Sequence, residues 1–238
     1  MTENLPRISG AGLKLIAIFC MTIDHAAVIF VPQGTDTYVH MRMVGRFAFP
    51  IFAFLLTEGL KYTKNRYLYL KNLFLFGLIS TPSFYLVFRS GLNVMFTLFL
   101  GGLAITLIDR ISKTDVGRNV LKCFIKTFLQ GVIFIAIFLT AIFLKTDYDG
   151  IGIIVIMAFY YLPRITHLPD PLIYVFCCAI LGVTAFVEDD NPESIYAFIP
   201  MMAYDRSRGK QNKWFFYFYY PLHLLVLYGI KMLFLNSL

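Results

Sequence analysis

Apolar residues fill this chain in long blocks separated by short polar turns, and the blocks match the length of helices that cross a bilayer. The pattern predicts nine apolar spans, at 11–31, 40–60, 68–88, 92–109, 121–144, 148–163, 171–187, 193–204 and 214–235. Pro32-Gln33-Gly34, Ser90-Gly91, Pro163, Pro169 with Pro171, and Pro192 separate them. The sixth and eighth spans are short for ~30 Å of hydrocarbon, so they tilt little, re-enter or line a cavity. The expected fold is all-α: a polytopic transmembrane helix bundle forming one domain over 1–238, with no room for a separate soluble domain.

Composition agrees. The chain has 238 residues, 58% of them hydrophobic and only 15% charged, and a mean hydropathy of +0.70. Soluble domains carry about 25% charged residues. The net charge of +7 does not indicate a nucleic-acid partner, because Lys and Arg sit in short loops, as they do beside an anionic membrane surface. Cys20, Cys123, Cys177 and Cys178 lie in apolar runs without metal spacing, and neither a disulfide framework nor a metal site is expected. Residues 1–31 resemble a signal peptide only superficially, because Asp24 and His25 interrupt the apolar core; a retained first helix is expected.

Charge asymmetry sets the expected orientation. Alternate loops are basic: Lys61, Lys64, Arg66 and Lys71; then Arg110, Lys113, Arg118 and Lys122; then Arg164; then Arg206, Arg208, Lys210 and Lys213. The intervening loops are poor in Lys and Arg, and 188–192 is acidic. The positive-inside rule puts the N-terminus in the cytoplasm. With nine spans the C-terminus lies outside.

Ionisable residues within the spans are the candidates for chemistry, because an Asp at a helix centre costs at least ~2.5–3.5 kcal/mol. Asp24 and His25 lie side by side in the first span. Neighbours on a helix point apart, so the partner that orients His25 must come from another helix, with Asp149 and Arg46 as candidates. Lys14 lies eleven residues before His25, about 16 Å along the same face. Arg42 and Arg46 share a helix face above Pro50, which is expected to kink that helix; two forked donors suit a phosphate or an oxyanion. Glu58 closes the inner end of this span. The following loop, with Lys61 and Arg66, would attract phosphates of a cytoplasmic cofactor. Asp149, before Gly150 and Gly152, suits a helix N-cap. Tyr220 and His223 flank Pro221, and His223 lies deeper than an interfacial belt residue; Pro221 is expected to free a backbone carbonyl for a polar pocket.

The chain resembles the TraX family nearly end to end. The resemblance rests on LKLIAIFCMTIDH (13–25), VGRFAFPIFAFLLTEGLKYTKNRYLYLKNL (44–73), NVMFTL (93–98), DYDGIGI (147–153) and RGKQNKWFFYFYYPLHLLVL (208–227). That family is associated with N-terminal acetylation of pilin subunits. A weaker likeness, Lys14-x10-His25, extends to larger membrane-bound acyltransferases that carry Arg where this chain has Lys. The resemblance implies an acetyltransferase using acetyl-CoA, with His25 as base or acetyl carrier supported by Asp24. Arg46, helped by a tyrosine or His223, would hold the oxyanion. Lys14, Lys61, Arg66, Arg208 and Lys210 would hold the coenzyme A phosphates, with Arg42, Glu58, Asp149 and Tyr220 in support. The acceptor would be a pilin-like protein or a surface glycan or lipid. The same buried charges would also serve a proton-coupled transporter, and a non-catalytic assembly factor for a pilus would tolerate loss of His25.

Overall fold

The computed structural model describes residues 7–89, 91–115, 117, 119–187 and 192–235; Ser90, Arg118 and the acidic stretch 188–191 lie outside the described residues. Among the described residues ten α-helices follow one another: α1 (Gly10–Phe30), α2 (Asp36–Gly45), α3 (Ala48–Tyr62), α4 (Arg66–Phe88), α5 (Val94–Ser112), α6 (Val120–Phe143), α7 (Asp149–Ile165), α8 (Asp170–Val187), α9 (Phe198–Met202) and α10 (Lys213–Leu235). A 3-10 helix at Pro192–Ala197 leads into α9. Among the described residues the only strand-like pairings are two isolated bridges, Ile8 with Tyr204 and Leu92 with Thr146.

The polar turns stop and start the helices by capping. Ser9, Thr35, Asn65, Asn93 and Asn119 each accept a bond from a backbone N–H in the first turn of α1, α2, α4, α5 and α6. Asn93 does more. It is fully buried, and its Nδ2 donates to the Gly77 carbonyl at 2.9 Å, so the start of α5 is pinned to the middle of α4.

Among the described residues five stretches are long and apolar enough to cross a membrane: α1, α2 with α3, α4, α5 and α6. Their burial differs and so places them. About two thirds of the α5 window is buried inside the bundle, against 11% for α6. α5 is therefore a core helix, and α6 turns Phe124, Phe128 and Ile135 outward to lipid. α7 packs against α3, α5, α6 and α8, and α10 packs against α1 and α4.

Two local expectations are corrected. The span at 40–60 is not one kinked helix. It breaks at Arg46-Phe47 into α2 and α3, and Pro50 sits in the first turn of α3, where its missing N–H has no intrahelical partner to lose. The cap of α7 is Tyr148, not Asp149; Tyr148 has φ 67° and makes no side-chain cap bond. The short stretch at 193–204 is a 3-10 turn followed by five residues of α9.

At one end of the bundle the start of α1 is clamped by the loop before α10. Gly10 and Ala11 donate their N–H groups to the carbonyls of Ser207 and Arg208. At the other end the turn after α6 meets the turn before α5. Leu92 donates to the Lys145 carbonyl and accepts from the Asp147 N–H. The candidate site lies toward this second end.

Candidate functional site

A cavity of about 160 Å³ opens where α1, α2, α3, α4, α5, α10 and the turn before α7 converge. Polar side chains on its wall are Asp24, His25, Arg42, Arg46, Asp147 and Tyr220. Aromatic rings close it, among them Phe49, Phe52, Phe88 and Tyr148. Three helices begin at its edge, since Ala48, Val94 and Tyr148 all line it. Helix N-termini carry partial positive charge and exposed N–H groups, and two guanidiniums add to that field.

His25 is 7% exposed and His223 6% exposed, so the hydrogen-bond partners of these rings come from inside the protein. His25 Nδ1 lies 2.7 Å from His223 Nε2, and His223 Nδ1 lies 3.0 Å from the Tyr219 carbonyl. The ring centres are 4.9 Å apart at an interplanar angle of 14°. With the nitrogens in hydrogen-bond contact, that geometry is two rings edge to edge and nearly coplanar, not a stack. A carbonyl only accepts, so His223 Nδ1 carries the proton it donates to Tyr219. With both rings neutral, His223 Nε2 then accepts, and His25 Nδ1–H donates to it. The network thus assigns a bare lone pair to His25 Nε2.

The relay is buttressed from α1. Tyr219 Oη lies 2.7 Å from Thr22 Oγ1, and Thr22 Oγ1 donates to the Ile18 carbonyl at 2.7 Å, so the tyrosine is the donor of the pair. The carbonyl that holds His223 is Tyr219's, whereas Pro221 lacks the N–H that would have bonded the carbonyl of Tyr217, four residues back. Beyond His223, on the outer face of α10, runs an apolar groove lined by Trp214, Phe218, Leu222 and Val226.

Asp24 does not touch His25. Its Oδ2 accepts from Arg42 Nη1 at 2.6 Å, with both side chains mostly buried. Gly45 makes this possible, because a Cβ there would sit 2.0 Å from Asp24 Oδ1. Arg46, the residue after α2, lines the same cavity and has its Nε buried. Tyr220 is 4% exposed, and its Oη is buried without a well-formed hydrogen bond, the Val94 N–H being its approach.

The residues expected to contact a cofactor fall at the opposite end, in separate clusters. Lys14 Nζ donates to Gln211 Oε1 at 2.7 Å and lies over the Phe216 ring, beside the loop that carries exposed Arg208 and Lys210. Lys61 is paired with Glu58 at 2.6 Å. Arg66 is committed elsewhere: it donates to Asp109 Oδ2 at 2.7 Å, to Tyr160 Oη and to the Leu60 carbonyl. Asp109 also accepts from both Tyr160 and Tyr161. This knot ties α4, α5 and α7 together.

Sequence reasoning named His223 as a site residue but not as the partner of His25; Asp149 and Arg46 had been expected in that role. It missed Asp147 altogether. Asp147 lies in the turn before α7, outside the helices, and its carboxyl faces the cavity. Burial pushes that carboxyl up to about 6, with Asp24 adding to the effect and Arg46 and Arg42 opposing it. The turn is unusual: Lys145, Tyr148 and Asp149 all have positive φ, a conformation that non-glycine residues adopt at a cost. Gly91, itself at φ +63°, lets the partner turn approach, since a Cβ there would lie 2.4 Å from the Lys145 carbonyl oxygen. Two carboxylates two residues apart ahead of a glycine were the available signal. Among the described residues no cluster of His, Cys, Asp and Glu could hold a metal.

A family model described as TraX protein matches residues 9–231. The chain is 28% identical over 258 residues to the probable fimbrial assembly protein FimC, serogroup H1, of Dichelobacter nodosus, covering 98% of this chain and 99% of that protein. No solved structure matches. With its helical membrane fold and a match over almost its whole length, the chain belongs to the TraX family.

Proposed function

We propose that the protein is an acetyltransferase of the bacterial inner membrane. It would take acetyl from cytoplasmic acetyl-CoA and pass it to an acceptor at or beyond the membrane. The observation that carries this reading is the buried His25–His223 relay, which presents a bare imidazole nitrogen to a cavity rich in hydrogen-bond donors. Acyl transfer requires that pairing of a base with donors for an oxyanion.

In this reading the acceptor nucleophile gives its proton to His25 Nε2 as it attacks the thioester carbonyl carbon. His25 becomes an imidazolium shared with His223. Arg46 and Tyr220 Oη donate to the oxyanion. The C–S bond then breaks, and the imidazolium returns its proton to the leaving thiolate. Asp24 holds Arg42 at the cavity edge. The coenzyme A phosphates would rest on Lys14, Arg208 and Lys210. Lys14 lies about 16 Å below His25 along α1, a separation that asks for a donor with a long arm. Arg66 and Lys61 are already paired and take no part.

Nine crossings with a cytoplasmic N-terminus accompany this proposal, α2 with α3 counting as one and the 3-10 helix with α9 as another. The basic loops then lie inside, and the cavity lies in the outer half of the bilayer. The family association favours a pilin-like N-terminal amine as acceptor, while a surface glycan or lipid hydroxyl would suit the same base. A second reading, a non-catalytic pilus assembly factor, is favoured by the name of the Dichelobacter nodosus relative.

Calorimetry with purified protein and acetyl-CoA separates the two. Saturable binding that weakens at least tenfold in Lys14→Ala supports the acetyltransferase. Folded protein with no binding supports the assembly factor.

A further inference from the structure

The cavity holds more acid than the transfer chemistry uses. Asp24 and Asp147 line it, and Asp149 is close enough to act on the Asp147 charge. Against these three carboxylates stand two guanidiniums, Arg42 and Arg46, and the N-terminal ends of α3, α5 and α7, while His25 and His223 are neutral. Asp24 is spoken for by Arg42 at 2.6 Å. The charges that act on the Asp147 carboxylate are those of Asp24, Arg46, Arg42 and Asp149, and it acts in turn on Tyr148 and Tyr220. The backbone of Asp147 is held from both sides, its N–H on the Leu92 carbonyl and its carbonyl accepting from Thr97 Oγ1.

The wall beside the Asp147 carboxylate is aromatic. Phe49, Phe52, Phe84, Phe88 and Tyr148 wall a cavity of about 160 Å³, and aromatic faces attract an ammonium. Tyr220 Oη, 96% buried by its 4% exposure and without a well-formed hydrogen bond, offers an oxygen that can accept one ammonium N–H. His25 is on the same wall.

We infer that Asp147, with Tyr220 and the aromatic wall, is the docking site for the acceptor's primary ammonium group and the first receiver of its proton. The inference rests on the acetyltransferase reading for its chemistry but not for its binding. An amine reaches the cavity as RNH3+, which has no lone pair and cannot attack. One proton passes to the Asp147 carboxylate, giving a carboxylic acid and a neutral amine. The amine nitrogen bonds to the thioester carbonyl carbon, and its second proton goes to His25 Nε2. The C–S bond breaks, His25 returns that proton to the thiolate, and Asp147 releases the first proton to water. The sum is an amide, a thiol and one free proton. A hydroxyl acceptor has no ammonium proton to shed and does not need Asp147.

The test is binding, read without turnover. The tripeptide amide of alanine, leucine and phenylalanine, with a free N-terminus or N-acetylated, is titrated into the protein in nanodiscs at pH 7.5. The free peptide is expected to bind at least tenfold more tightly than its acetylated twin, to lose that advantage in Asp147→Asn, and to recover part of it in Asp147→Glu. Unchanged acetyl-CoA affinity shows that the variants are folded. Equal binding of the two peptides by the unaltered protein, or a preference that survives Asp147→Asn, overturns the inference. Asp147-dependent amine binding in a protein that transfers no acetyl would keep the inference and sink the acetyltransferase reading instead.

Discussion

Replacing Gly45 by alanine adds one methyl group at the end of α2, and the effect on the site should be large. The new Cβ would lie 2.0 Å from Asp24 Oδ1 and 2.3 Å from Asp24 Cβ. Comfortable contacts between such atoms are nearer ~3.5 Å, so α1 and α2 must part, or Asp24 must turn, by roughly 1.5 Å. Either movement pulls Asp24 from Arg42, now at 2.6 Å. Overpacking of this kind costs about 1–3 kcal/mol in stability. A displacement of about 1 Å in a catalytic constellation lowers rate by ~10²-fold. Gly131→Ala in α6 is the matched control, because a Cβ there meets nothing within 4 Å. Both variants are made in the same detergent or nanodisc, and thermal unfolding and acetyl transfer are measured side by side. The expected result is a lowered Tm and a rate near one hundredth for Gly45→Ala, with Gly131→Ala unchanged. If Gly45→Ala is as stable and as active as Gly131→Ala, the close packing of α1 on α2 does not position Asp24 and Arg42, and the reasoning is refuted.

Other variants separate the relay, the turn and the structural knot. His223→Ala removes the acceptor from buried His25 Nδ1; a loss of ~10²-fold in rate with a shifted pH profile is expected, and an unaltered profile would deny the relay. The Asp147 carboxyl, raised from 3.8 to about 6 in the folded chain, costs nothing below the unfolded pKa, costs progressively more between pH 4 and 6, and costs on the order of 3 kcal/mol above that. Asp147→Asn should therefore raise Tm at pH 8 and leave it unchanged at pH 4; the opposite ordering would mean the carboxylate is stabilised. Arg66→Met should lower Tm by breaking the knot with Asp109 and Tyr160 while leaving acetyl-CoA affinity intact, and a loss of that affinity would return Arg66 to the donor site.

Much of the helix layout was legible in the sequence because membrane helices announce themselves by length and hydropathy, and their ends by Ser, Thr and Asn caps. Pro50 was misread for a local reason: a proline in a first turn and a proline in a helix middle look alike until the helix start is known. The histidine pair shows a different limit. His25 and His223 each stood out as buried ionisable groups, yet they are 198 residues apart, and only the packing of α1 against α10 joins them. Asp147 was hidden because acids in turns are ordinary. What marks it is the run of positive φ angles around it and the cavity it faces, and neither can be read from residue types. Lys61 and Arg66 drew attention as phosphate ligands because basic loops invite that reading; their pairing with Glu58 and Asp109 depends on helix packing and was not legible.

The measurement that bears most directly on the account is transfer of labelled acetyl from acetyl-CoA to a peptide amine by the purified protein, beside His25→Ala. The account predicts saturable transfer by the unaltered protein and a loss of at least a hundredfold in His25→Ala, with acetyl-CoA binding and Tm preserved. Transfer that persists in His25→Ala, or no transfer by a folded protein that has both substrates, would contradict it.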